Sequence, residues 1–321
     1  TAAVGWESAF AGVRKTVDGT EEDLAGIAKE LRNMSKEIPT TANDLAGIAE
    51  NAGQLGVATS EIVGFTRVVA DLAETTNLAV DEASSNFAQF ANVTRMEGTA
   101  ENYSRLGSSV VELGNNLATT EADIVAMSMS LGSAASTAGM TQAEIMGMAA
   151  ALSSLGLEAG GGGGAMSRTI ADIQVAVETG SKDLKEYAKV SGMSAKEFAA
   201  AWREDAAGTM ATFVAGLGQG TESAIVMLEK MGITNLRERD ALLRSSNAAE
   251  MFSKAINMST AAWNQNVAIT KEAAMRYDTM ESRMAMVANQ AKDAAVTFGG
   301  DLMPALEGAV DWISTLVDKF S

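Results

Sequence analysis

The sequence predicts an all-α protein: an elongated multi-helix domain with duplicated helical hairpins and a long C-terminal helix. Three observations carry this. Of the 321 residues, 47% are apolar, yet there are only two prolines and few aromatics. Ala and Met supply much of that apolar content, and both stand near the top of the helix-propensity scale. Apolar residues also recur at three-four spacing, as at Ile145, Met148, Leu152 and Leu155, which puts them on one helix face. Helix punctuation recurs as well. Gly139 breaks the chain, Thr141 and Glu144 have the spacing of a capping box, and Gly156 stands where the helix should end.

The first helices are expected at 5–17 and 20–38. Thr20-Glu-Glu-Asp23 places acids in a first turn, where they complement the helix dipole, and Pro39 stops the second helix. Thr41-Ala-Asn-Asp44 then leads into Leu45, Ile48, Ala52 and Leu55, and Gly56-Val-Ala-Thr-Ser-Glu61 leads into Ile62, Phe65, Val69 and Leu72. The pattern returns. Thr120-Glu-Ala-Asp123 precedes Ile124, Met127, Leu131 and Ala134, and the Gly139–Glu144 lead-in precedes Ile145. The pair at 41–73 is therefore repeated at 120–156, with a connection four residues longer. Helices at about 80–94 (Phe87, Phe90, Val93) and 99–117 (Tyr103, Leu106, Val110, Leu113, Leu117) lie between the copies. A fainter echo is Gly192-Met-Ser-Ala-Lys-Glu197-Phe198.

Residues 124–143 are uncharged but rich in Ser, Thr and Gly, and fall short of a membrane-spanning run. A buried hairpin is expected there, with insertion into a bilayer after a trigger as the alternative. The glycines Gly160–Gly164 follow a helix and are followed by Ala-Met-Ser. A phosphate loop needs a preceding strand and a Gly-Lys-Ser/Thr. The run is expected to be a flexible or tightly turning connection into a helix at 165–178. Shorter helices follow at 181–191, 194–204, 206–217 and 221–231, split by Gly192, Gly208, Gly218, Gly220 and Gly232, then at 234–246 and 247–258. Trp202 beside Arg203, Glu204 and Asp205 has the look of an acid/base cluster, but reads better as a solvated helix end with one large anchor. The pairs Glu21/Glu22 and Asp81/Glu82 are adjacent in sequence, so they point to different sides of a helix and make poor acid/base pairs.

From about 260 to 298 no glycine or proline interrupts, and a stripe runs through Ala273, Tyr277, Met280, Met284, Val287, Ala291, Ala294 and Phe298. Extended backward it meets Thr270, Asn266 and Trp263. Such a stripe predicts a long helix, packed either along another helix or symmetry mate, or on its own domain. Gly299-Gly300 breaks it, and Asp301 and Pro304 restart a helix carrying Leu306, Val310, Ile313, Leu316 and Val317. The chain thus divides into N-terminal helices (1–38), a duplicated-hairpin core (39–158), a short-helix region (159–259), and a heptad-like helix with a terminal amphipathic helix (260–321).

Without cysteine or histidine, disulfides, thiolate nucleophiles, Cys/His zinc sites and histidine bases are excluded. No catalytic, cofactor-binding or metal-binding residue is assigned, no cofactor is expected, and no spacing predicts the two convergent acids of a glycosidase. A net charge of −17 opposes wrapping nucleic acid, which needs a basic surface. No basic-then-apolar leader follows Thr1, so no signal peptide is expected.

The order of motifs resembles the core region of phage tail tape measure proteins from long-tailed phages and prophages. The residues carrying the likeness are Thr40-Thr-Ala-Asn-Asp-Leu-Ala-Gly-Ile-Ala-Glu-Asn-Ala-Gly-Gln-Leu-Gly56, then Ser60-Glu-Ile-Val-Gly-Phe and its repeat Gln142-Ala-Glu-Ile-Met-Gly-Met-Ala-Ala-Ala-Leu. Gly156-Leu-Glu-Ala with the glycines and Ala165-Met-Ser-Arg follows, then Gly192-Met-Ser-Ala-Lys-Glu-Phe, and last Gly300-Asp-Leu-Met-Pro-Ala-Leu. The resemblance spans about 20 to 316. It implies a non-enzymatic virion protein in the lumen of the tail tube, assembled in the host cytoplasm. Such a protein sets tail length, contacts the tail tip and leaves ahead of the DNA. It implies tail tube subunits, assembly chaperones and tip or baseplate proteins as partners, with no sequence-specific nucleic-acid binding. The family's long coiled-coil and membrane-active segments are not in this sequence, so it would be one section of a larger polypeptide, with host-membrane contact made by parts outside it. The stripe itself suggests a homo-oligomer through the heptad-like helix. A membrane-active or toxin-like helical protein is the alternative reading.

Overall fold

The computed structural model describes residues 2–220 and 223–299, and every regular element among them is helical. The first helices are α1 (Ala2–Thr16), α2 (Glu21–Glu37), α3 (Ala42–Gln54), α4 (Ile62–Thr75), α5 (Val80–Thr94) and α6 (Ala100–Asn116). Then come α7 (Glu121–Thr137), α8 (Gln142–Ser154), α9 (Gly164–Thr179), α10 (Asp183–Val190) and α11 (Ala195–Glu204). The last are α12 (Ala206–Gln219), α13 (Ala224–Lys230), α14 (Leu236–Ser246), α15 (Ala249–Gln265) and α16 (Ala268–Tyr277), with α17 at 280–299. Contacts divide the chain into two units, one of Thr1–Ala70 with Ala273–Ser321, the other Asp71–Glu272.

Helix starts follow the side chains read from the sequence. At α8 the Thr141 hydroxyl accepts from the Glu144 amide at 3.3 Å, and the Glu144 carboxylate accepts from the Thr141 amide at 2.7 Å. The echo at Ser194 and Glu197 builds the same box for α11, and Thr20 with Asp23 builds one for α2. Thr41 and Thr120 cap α3 and α7 in the two copies. Each box satisfies two amides that the helix leaves without partners. The first copy departs at one point: Ala58 stands where Thr141 stands in the second and offers no side-chain cap, and a 3₁₀ turn, Thr59–Glu61, leads into α4.

Helix ends are as regular. Gly139 and Gly156 are left-handed at φ +88° and +71°. The next amide, Met140 or Leu157, closes back onto Ala135 or Leu152 at 3.0 and 3.3 Å. Both of these apolar residues are buried, the hydrophobic contact that accompanies such a stop.

The second unit is centred on α8. Ala143, Ile145, Met146 and all residues from Gly147 to Leu152 are buried, so the helix is covered on every side rather than along one stripe. It packs against α6, α7, α12 and α15, which leaves α7 and α8 as a packed pair. No helix among the described residues is long and apolar enough to cross a membrane.

The glycine run is not a loop. Ala159–Gly163 forms a π-turn continuous with α9, with the Gly163 amide donating to the Glu158 carbonyl at 3.1 Å. A Cβ on Gly163 would lie 2.8 Å from both Met127 Sδ and Ser130 Cβ of α7, which explains a glycine at this close crossing. Gly208 and Gly218, expected to split helices, lie inside α12. Asp205 makes the break instead, capping α12 through the Gly208 amide at 2.7 Å.

The uninterrupted helix expected over 260–298 is divided. α15 stops at Asn266, which is left-handed at φ +51°, a conformation asparagine tolerates better than most residues. Its Oδ1 accepts from Ser104 and Ser108 of α6 at 2.9 and 3.1 Å. α16 then ends at Tyr277, and Thr279 restarts the helix by accepting from the Ser282 amide at 3.3 Å. The long helix near the end is α17 alone. The terminal amphipathic helix expected after Gly300 lies outside the described residues.

Candidate functional site

α17 leaves a row of large apolar side chains exposed. In its half of the stripe Met280, Met284, Val287 and Phe298 are exposed at 72, 66, 65 and 72%, and Ala288, Ala291, Ala294 and Ala295 are exposed beside them. Ala273 and Tyr277, the stripe residues before the break, are buried. The restart at Thr279 thus separates a covered half from an uncovered one.

The opposite face of α17 is turned inward and sets Ser282, Asn289 and Asp293 among the partly covered Met286 and Val296. Asn289 is 4% exposed, and its amide reaches the carbonyls of Ile38, Pro39 and Thr40 at 3.4, 3.0 and 3.1 Å. These carbonyls follow the end of α2, and the side chain gives that stretch of backbone a hydrogen-bond donor. One turn on, Asp293 accepts from Arg32 Nε at 2.6 Å and pairs with Lys36 Nζ at 3.0 Å. Burial pushes the Asp293 carboxyl up, but the hydrogen bonds from Lys36 and Arg32 outweigh it and hold the group below its ordinary range. Arg32 also donates to Thr297 at 2.6 Å. Polar side chains of the inward face fasten α17 while an apolar stripe faces outward.

A groove of about 630 Å³ runs beside it, lined by α1, α2 and the Asp293–Thr297 turn. Trp6 and Phe10 stack there at 5.3 Å, with Arg14 at 5.8 Å over the Phe10 ring. Arg14 is bound to Glu21 at 2.6 Å, and Arg32 and Lys36 are bound to Asp293, so three of its cations are already paired.

In the second unit the interior holds an acid the sequence reading did not single out. Glu238 is 6% exposed and accepts from the Thr169 hydroxyl at 2.9 Å. Burial raises its pKa, with Asp172 adding to the rise. Burial likewise raises Asp172. Trp202 is 1% exposed and its indole donates to Gln174 at 2.7 Å, while Arg203 donates to the Val177 carbonyl at 3.0 Å. Trp202 is an anchor, as expected. The structure places Glu21/Glu22 at the start of α2 and Asp81/Glu82 at the start of α5. Among the described residues no group of three or more acidic side chains could hold a metal ion.

These features describe a helical protein whose conspicuous surface is the exposed apolar stripe of α17. The family model described as phage-related minor tail protein matches residues 28–227, well over half of the chain. The chain belongs to the phage-related minor tail protein family, and is a virion-associated structural protein of phage tails. No curated protein and no solved structure matches it.

Proposed function

We propose that the chain is the core section of a tail tape measure protein: a non-enzymatic scaffold in the lumen of the tail tube that sets tail length and is ejected ahead of the DNA. The observation that supports this best is the family match over residues 28–227, which covers the capped lead-in, both hairpin copies and the Gly192 echo in one ordered series. The duplicated helical pairs suit a scaffold assembled from helical modules. On this reading the partners are tail tube subunits, assembly chaperones and tip or baseplate proteins. A net charge of −17 keeps the protein from binding the DNA that follows it. Host-membrane contact belongs to segments outside this sequence.

The test is a set of in-frame deletions, each removing whole turns from the long helical part of the phage protein that carries this sequence. Tails imaged by electron microscopy should shorten by about 1.5 Å for each residue removed, the rise of an α-helix. Tails of unchanged length would refute the tape measure role while leaving the tail-protein family intact.

A further inference from the structure

We propose that the exposed stripe of α17 is a self-recognition surface, on which a second copy of this chain docks antiparallel about a two-fold axis level with residue 289. The inference concerns the free protein and does not rest on the tape measure reading.

Three observations on α17 lead to it. The stripe cannot roll inward, because Asn289, Asp293 and Thr297 hold the opposite face against α2 and the turn after it. Its residues span about 27 Å of helix at 1.5 Å per residue, enough for a seam of several layers. Second, the steps between Met280, Met284, Val287, Ala291, Ala294 and Phe298 read the same in both directions. Turned end for end, Met284 meets Ala294 of the second copy, Val287 meets Ala291, and Met280 meets Phe298. Bulky residues opposite small ones fill a helix–helix seam without voids. A parallel pairing would set Ala291 on Ala291, Ala294 on Ala294 and Phe298 on Phe298, leaving a gap in the middle and crowding at one end.

The third observation is charge. Within a chain of net charge −17, α17 carries Glu281 and Asp293 against Arg283 and Lys292, and so is locally neutral. Two copies can meet here without the repulsion that opposes contact elsewhere. Of these four, Glu281 and Arg283 flank the seam. The antiparallel register places Glu281 beside Ala295 and Arg283 beside Thr297, with Ala288 and Gln290 near their own counterparts. No like charges face one another. The interface is isologous, so it closes at two copies rather than growing into a filament.

The chain has no cysteine, which makes disulfide trapping unambiguous. Met284→Cys and Ala294→Cys versions of the 321-residue chain, mixed and mildly oxidised, should give a disulfide-linked dimer at roughly tenfold or more the yield of either alone, because facing thiols have a high effective concentration. Light scattering should report a dimer for the unmodified chain and a monomer for Val287→Glu, with circular dichroism unchanged in that variant. Efficient linking of Ala294→Cys alone would mean a parallel pair and overturn the antiparallel docking. A chain that stays monomeric at every concentration would overturn self-recognition altogether. So would a thiol at position 284 that is shielded from maleimide in the monomer, since the cover would then come from the chain itself.

Discussion

Glu238 projects its carboxyl into the interior of the second unit, with the Thr169 hydroxyl as its hydrogen-bond donor. Burial raises its pKa above the ordinary 4.5, Thr169 partly offsets this, and Asp172 raises it further. The folded state therefore holds this proton more tightly than the unfolded chain. The stabilisation is complete below about the ordinary glutamate value and is lost as pH rises through the elevated folded pKa. Glu238→Gln keeps the shape and the Thr169 contact without a charge to bury. It should leave the melting temperature unchanged at acid pH and raise it by about 2 °C at neutral pH. A thermal melt at the two pH values decides it, and equal melting of both proteins at neutral pH would exclude the mechanism. Gly147 is a second sensitive position. A Cβ there would lie 2.5 Å from Ile256 Cα and 2.7 Å from the Ala255 carbonyl oxygen, so the methyl group would meet the backbone of α15. In an open helix, alanine would be the better residue by about 1 kcal/mol. Here Gly147→Ala should lower stability by about 2 kcal/mol, measured by urea unfolding, and any stabilisation would show that α8 and α15 do not cross this closely.

Among the elements, α17 shows how polar side chains can position a helix. Asp293→Asn removes the charge that Arg32 and Lys36 share. Because Asp293 is held below its ordinary value of 3.8, its contribution is present above that value and is lost as pH falls through the depressed folded pKa. The variant should be less stable by about 1 kcal/mol at neutral pH, a modest figure because its partners are partly exposed. The difference from the unmodified chain should vanish in acid, and a difference that persists there would mean the ion pairs are not its cause. The same element marks the limit of what the sequence discloses. Thr141 with Glu144, Ser194 with Glu197, and the glycine stops are legible because local hydrogen bonding within one turn dictates them. The break at Asn266 is not, because its left-handed turn is held by Ser104 and Ser108, far away in sequence. Nor could periodicity say where the stripe points. It shows which residues share a face, whereas Asn289 and Asp293 decide which face is anchored. The π-turn at Ala159–Gly163 went unread for the same reason, since Met127 and Ser130 lie a helix away.

At the scale of the whole molecule, composition was enough for the helical class, and the order of weak motifs for a phage tail family. Neither foretold that Thr1–Ala70 would group with Ala273–Ser321, because that pairing rests on contacts between residues some 250 positions apart, such as Arg32 with Asp293. Site chemistry was legible mainly as exclusion, through the missing Cys and His. The two sides of α17 also answer to different solvents. Added salt screens the Arg32–Asp293–Lys36 attachment, while excluded salts such as sulfate strengthen the burial of methionines and alanines. A change of ionic surroundings thus loosens this helix from its own body while making it more adhesive toward another.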